Sequence, residues 1–131
     1  MANPNLLAAT TASGTTTYLT PSATTAVVLL PNAAASGTVF KINQIVAANV
    51  NGSTAVNTTV SVYTNGAVVQ GSAPSGGTAY PIVSTVSVPA SASLIVADKT
   101  TAIYLMEGTS ITVTSGTASG ITYTISYEVI S

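Results

Sequence analysis

The chain has 131 residues and 12.9 kDa, with two Lys or Arg, three Asp or Glu, no His, no Cys and no Trp. One domain fits that length, and size scaling gives about 6,300 Å² of folded surface against roughly 18,700 Å² unfolded, enough burial for a real core. Without imidazole or thiol, the commonest proton shuttle, the thiolate nucleophile and the soft ligands of zinc and iron–sulfur sites are all excluded.

The remaining carboxylates, Asp98, Glu107 and Glu128, are few. Asp98 with Glu107 is the pair that could form a catalytic dyad or a hard-metal site, but calcium takes six to eight oxygens and there is no aspartate-rich loop. Solvated turn positions are the simpler reading, so no catalytic, cofactor-binding or metal-binding residue is assigned. A net charge of −1 with two basic side chains lacks the footprint of nucleic-acid binding. The longest apolar run, Ala26 to Leu30, is of strand length and ends at Pro31; no membrane helix is expected. Residues Met1 to Asn5 lack a basic n-region before an apolar stretch, so a chain made in the cytoplasm without a Sec signal is expected. The sequons at Asn51 and Asn57 are then ordinary turn and strand residues.

In chain order, residues 1–24 are rich in Thr, Ala and Ser with little periodicity and are interrupted by Pro4, Gly14 and Pro21. They read as an extended N-terminal arm preceding a β-sandwich domain at 25–131. From Thr25 onward, short β-branched runs alternate with Gly, Pro, Asn and Ser clusters, and no window keeps a helical period. Strands are expected at Thr25–Leu30, Thr38–Val50, Thr58–Tyr63, Ala67–Gln70, Tyr80–Val88, Ser93–Ala97, Ala102–Met106, Ser110–Thr114 and Ile121–Ile130. In Thr38–Val50 the alternation set by Phe40 and Ile42 changes phase at Ile45, predicting a bulge near Asn43 and Gln44. Asn65-Gly66 between valine runs reads as a tight hairpin, and Gly71–Thr78 as a mobile loop. Glu107-Gly108 reads as another tight turn in a closing meander. In the last strand, Ile121, Tyr123, Ile125, Tyr127 and Val129 share the face expected to be core.

These seven to nine short strands predict an all-β, two-sheet β-sandwich, jelly-roll or Ig-like, whose strand order the pattern leaves open. The tyrosines are expected to pack in the core and at interfaces. Two lysines cannot guard several sheet edges, so a homo-oligomer is expected in which neighbours cover them.

The run Val86-Ser87-Val88-Pro89-Ala90-Ser91-Ala92-Ser93-Leu94, then Asp98-Lys99, then Ile103-Tyr104-Leu105-Met106-Glu107-Gly108-Thr109-Ser110-Ile111-Thr112-Val113 and the closing Ser126-Tyr127-Glu128-Val129-Ile130 resemble small virion structural proteins of tailed phages, notably of cyanobacterial and marine hosts. The stretch Phe40 to Val50 fits the same pattern, and the resemblance spans about residues 33 to 130. Members often carry Asp where this chain has Thr109. The resemblance implies a capsid decoration, or cement, protein on the outside of the phage head. Its partners would be the major capsid protein and further copies of itself, as a trimer or dimer, with the arm reaching across the shell. A tail, neck or fibre-associated role is the alternative within the virion. A host-surface or glycan-binding module using Tyr63, Tyr80 and the Gly71–Thr78 loop is a reading from another class, and an extracellular adhesin or pilus subunit a third.

With so few charges, stability is expected to respond weakly to salt and to pH between 5 and 9. Differential scanning calorimetry should find a melting point that moves by less than about 10 °C between low and moderate salt; a larger shift would reveal a charge network.

Overall fold

A computed structural model describes residues 4–131. Nine strands form: β1 (Ala12–Leu19), β2 (Val27–Asn32), β3 (Val39–Asn49), β4 (Val56–Tyr63), β5 (Ala79–Val88), β6 (Ser93–Ala97), β7 (Ile103–Leu105), β8 (Thr109–Ser115) and β9 (Ile121–Ile130). Two short 3₁₀ turns, Leu6–Ala8 and Lys99–Thr101, are the helical elements among the described residues. The folded chain exposes 6301 Å², the area expected of a compact body of this mass.

All strand pairs are antiparallel. A five-stranded sheet runs β1-β9-β3-β6, with β7 also on β3, and a four-stranded sheet runs β2-β8-β4-β5. The first strand therefore pairs with the last, the second with the eighth, the third with the sixth and seventh, and the fourth with the fifth. This is one long hairpin wound into two facing sheets, the order of a jelly roll, with its sixth strand split in two by the Lys99–Thr101 turn. The two-sheet sandwich inferred from periodicity is thus the observed architecture.

The core lies between the sheets. Leu29, Leu30, Val60, Val88, Ile111 and Val113 of the four-stranded sheet meet Ile42, Ile45, Ala47, Leu105, Ile121, Tyr123 and Ile125 of the five-stranded one. In β9 the alternation holds as expected through Ile125, since Ile121, Tyr123 and Ile125 are fully buried while Thr122 and Thr124 are half-buried. Beyond it, from Tyr127 to Ile130, every side chain is half-buried. There Tyr127 packs on Phe40 with ring centroids 5.1 Å apart. The bulge expected near Asn43 and Gln44 is present: Ile42 pairs with Tyr127 and Gln44 with Ser126, leaving Asn43 as the extra residue.

Polar side chains lock the sheets together. Asn32, at the end of β2, is buried; its Nδ2 donates to Thr38 O and Leu105 O at 3.1 Å each, and its Oδ1 accepts from the Ser36 hydroxyl at 2.6 Å. Asn49, at the end of β3, donates to Val88 O at 2.9 Å and Thr54 O at 3.0 Å and accepts from Asn51 N at 2.8 Å. The Tyr123 hydroxyl donates to Thr114 O at 2.9 Å and accepts from the buried Thr58 hydroxyl.

Several expectations are corrected. Residues 12–19 are not part of a free arm: β1 pairs with β9 along its whole length, from Ala12↔Ile130 to Leu19↔Tyr123. The strand carries no apolar alternation because its side chains are mostly exposed; backbone pairing holds it, helped by the Thr16–Ser126 hydroxyl contact and by Leu19 against the core. Residues 1–3 of the expected arm lie outside the described residues.

Ala67–Gln70 is not a strand and Asn65-Gly66 is not a hairpin turn; both sit in the 64–78 connection from β4 to β5. Gly66 is needed for close approach, since a Cβ there would lie 2.1 Å from Asn32 O and 2.7 Å from Thr109 O. The 71–78 segment is tied down by Gly71 N to Val28 O, Val28 N to Ser72 O and Gly77 N to the Tyr63 hydroxyl.

The closing meander is absent, because β7, β8 and β9 alternate between sheets. Gly108, at φ 74°, turns the corner between β7 and β8 rather than a hairpin. The tyrosines also divide: Tyr63 and Tyr123 are buried, whereas Tyr18, Tyr80 and Tyr104 are exposed.

Two tests follow from the packing. Ile125→Ala should cost about 2–5 kcal/mol in urea unfolding, and Thr124→Ala much less; the reverse ranking would mean a one-residue register shift.

Burial pushes the Tyr123 phenol from 10.0 up to about 12, so the fold favours the neutral form. That contribution is complete below pH 10 and is lost as the pH rises from 10 to 12, up to about 2–3 kcal/mol. Tyr123→Phe should cost about 1–3 kcal/mol at pH 8, because the Thr58 hydroxyl loses its buried acceptor. The same variant should also flatten part of the alkaline decline, measured as unfolding free energy against pH.

Candidate interaction surface

The three carboxylates have local partners. Asp98 caps the Lys99–Thr101 turn: its carboxylate accepts from Thr100 N at 2.9 Å and from the Thr100 hydroxyl at 2.5 Å. Those hydrogen bonds from Thr100 hold its pKa below the usual carboxylate value. Glu107 Oε1 accepts from Gly37 N at 2.9 Å, bracing the 33–38 connection. Each carboxylate considered for a dyad thus has its own turn to serve, and no group of three or more Asp or Glu able to hold a metal forms among the described residues. Lys41 and Glu128, neighbours across β3 and β9, meet at 3.9 Å on the partly exposed outer face, where such a pair contributes little.

The Tyr63, Tyr80 and 71–78 constellation does not assemble as an open site. Tyr63 is only 8% exposed, and its hydroxyl accepts from Gly77 N at 3.0 Å, while Tyr80 stands exposed on β5. Asn51 Oδ1 accepts from Ser53 N and Thr54 N, folding that sequon into a turn. A surface hollow lies where the β3 bulge meets the Asp98 turn, lined by Asn43, Gln44, Asp98, Lys99, Thr100 and Ser126. It gathers one acid and one base, and the hydroxyl that reaches a carboxylate there, that of Thr100 on Asp98, belongs to the cap of the Lys99–Thr101 turn.

What the molecule presents outward is edges and faces. The outer face of the five-stranded sheet carries Thr122, Thr124 and Ser126 from β9 beside Ala48, Val46 and Gln44 of β3, in register. Thr16 and Thr20 bond through their hydroxyls to Ser126 and Thr122 at 2.9 and 2.8 Å. This is a flat wall of hydroxyl and methyl groups.

The edges differ in how they are guarded. Along β2, the 71–72 backbone bonds Val28. Strand β5 carries Pro81, Thr85 at φ 52° and two register shifts against β4, devices that spoil an edge for pairing. Strands β6 and β7 are short, and β6 has a register shift against β3. Strand β1 has none of these: eight residues, no Pro, no charge and an unbroken register. Just before it, Leu6 and Leu7 on the first 3₁₀ turn are 46% and 99% exposed. Sequence reasoning placed an interaction element at the N-terminus as a tether, and missed that it includes a formed edge strand.

In comparison with known proteins, no family model matches the chain, and neither a curated protein nor a solved structure matches it.

Proposed function

We propose that this chain is a non-enzymatic structural protein of a phage particle, bound to the outside of the head as a decoration protein that bridges capsomers. One observation carries the reading: Asp98 and Glu107 each hold a turn, the buried Asn32, Asn49 and Tyr123 groups hold the two sheets together, and the outer face is largely hydroxyls and methyls with one open strand edge. Such a surface acts through contact area, and jelly rolls are a recurrent architecture of viral capsid and lectin domains. The resemblance of residues 33 to 130 to small tailed-phage virion proteins points the same way.

In this reading the major capsid protein is met by the N-terminal segment. Leu7 is 99% exposed among the described residues, and an adjacent Leu6-Leu7 pair gains by entering an apolar groove of a neighbour. Further copies of the chain are the second partner, with assembly on the particle following synthesis in the host cytoplasm.

Quantitative mass spectrometry of purified particles should count hundreds of copies per head; a handful of copies would make the chain a tail, neck or fibre component instead. Binding of the isolated chain to host cells or glycans, without binding to heads, would favour the recognition-module reading. The Leu6→Ala, Leu7→Ala double variant should keep its melting point within a few degrees, because neither side chain is in the core. It should occupy heads at least about tenfold less at equal concentration, the loss of roughly 1.4 kcal/mol or more of apolar contact. Unchanged occupancy would remove the Leu pair as the tether.

A further inference from the structure

We propose that the free edge of β1 pairs antiparallel with β1 of a second copy, about a two-fold axis at Thr16, joining two five-stranded sheets into one continuous sheet. The proposal does not rest on the virion reading, since it concerns the chain's self-association wherever it works.

The backbone parity of β1 is fixed by its inner partner. Thr11 and Ser131 exchange both backbone hydrogen bonds, at 3.0 Å each, and the register from Ala12↔Ile130 to Leu19↔Tyr123 is unbroken. In an antiparallel pair, hydrogen-bonded positions alternate, so Ser13, Thr15, Thr17 and Leu19 bond inward to β9. The N–H and C=O groups of Ala12, Gly14, Thr16 and Tyr18 point away from the sheet, and β1 ends the strand order on that side. Eight residues of regular, uncharged edge are a template for another strand, and two copies of this one bring no like charges together.

The side chains choose the register. Leu19 packs on the core, and Thr17 lines a hollow with Leu29 and Leu30, so the odd positions face inward. Thr16 reaches the outward Ser126 hydroxyl, so the even positions lie on the outer face, where Tyr18 is 71% exposed. Gly14 lies in this strand without a positive φ, and a Cβ on it would meet nothing within 4 Å.

No described residue therefore calls for glycine there, and a glycine in a strand often marks a bulge, a bend or the close approach of another backbone or ligand; the unbroken register of β1 excludes the bulge. With the axis on Thr16, Tyr18 of each copy lies directly opposite Gly14 of the other, on the same face. The phenol ring then covers the gap beside the glycine, the cross-strand arrangement by which aromatic residues offset edge glycines. Moving the axis to Thr15 or Thr17 keeps the backbone parity but sets Tyr18 against Ala12 or Thr16. Only the Thr16 axis matches the two exceptional residues of the strand to each other.

Sedimentation equilibrium of the whole chain should give twice its 12.9 kDa mass at micromolar concentration. Thr16→Pro removes an outward N–H and leaves the inward bonds to β9, so this variant should stay folded by circular dichroism while its dimer dissociation constant rises about a hundredfold or more. Thr15→Pro, one residue away, removes an inward bond and should lower the melting point instead.

Amide hydrogen exchange on the unaltered chain gives a reading independent of any variant. The amides of Gly14, Thr16 and Tyr18 should gain protection as concentration rises through the dimer range, while those of Thr15 and Thr17 are protected throughout. A monomer at 100 μM (about the upper end of a usable range), a trimer, or a dimer whose Gly14, Thr16 and Tyr18 amides exchange freely would overturn the pairing. Each of those results leaves attachment to the head untouched.

Discussion

Everything in this fold depends on one strand finding two partners far away in sequence. β9 lies between β1 and β3 in the five-stranded sheet, and its Ile121, Tyr123 and Ile125 fill the middle of the core. The chain can close only when its final strand is inserted between two of its first three. Once that happens, the remaining pairs fall into the nested order of a hairpin folded on itself, and each strand presents its apolar face to the facing sheet without crossing another connection.

Apolar burial alone does not fix how the two sheets face each other. The buried amides of Asn32 and Asn49, at the ends of β2 and β3, and the Tyr123 hydroxyl within the core each bridge one sheet to the other. Buried polar groups are costly unless paired, and these find specific backbone or hydroxyl partners, so a sandwich that slid or rotated would leave them unmet. A core built largely from valine, isoleucine and leucine has little shape to distinguish neighbouring registers; the amides and the phenol supply that discrimination.

Elements whose cause was local could be read in the sequence. The alternation from Ile121 to Ile125 reflects a strand with one face in the core, and the phase change after Ile42 is the Asn43 bulge itself. Where the cause is tertiary, local rules misled. Strand β1 has no apolar stripe because it contributes backbone rather than side chains to the sheet, and its partner begins more than a hundred residues away. Asn65-Gly66 carries a hairpin's residues, yet Gly66 serves the close passage of the chain beside Asn32. The apparent meander fails because β7, β8 and β9 change sheet at every connection, which periodicity cannot register. Asn32 lies just beyond one expected strand and Asn49 within another, and nothing in one sequence marks an asparagine whose amide will be buried. The carboxylates Asp98 and Glu107 were legible as turn residues, each with the backbone of one connection to hold.

The pairing of β1 with β9 also sets the order of events during synthesis. Residues 12 to 19 leave the ribosome early, but their partners, residues 123 to 130, come more than a hundred positions later. At about 5–20 residues per second, the nascent chain spends roughly 5–20 s with β1 unpaired and uncharged. Three of the strands between them, β2, β3 and β4, also wait for partners not yet made. A template strand exposed for that long beside identical chains on the same message is open to premature pairing, and low charge gives no repulsion to prevent it.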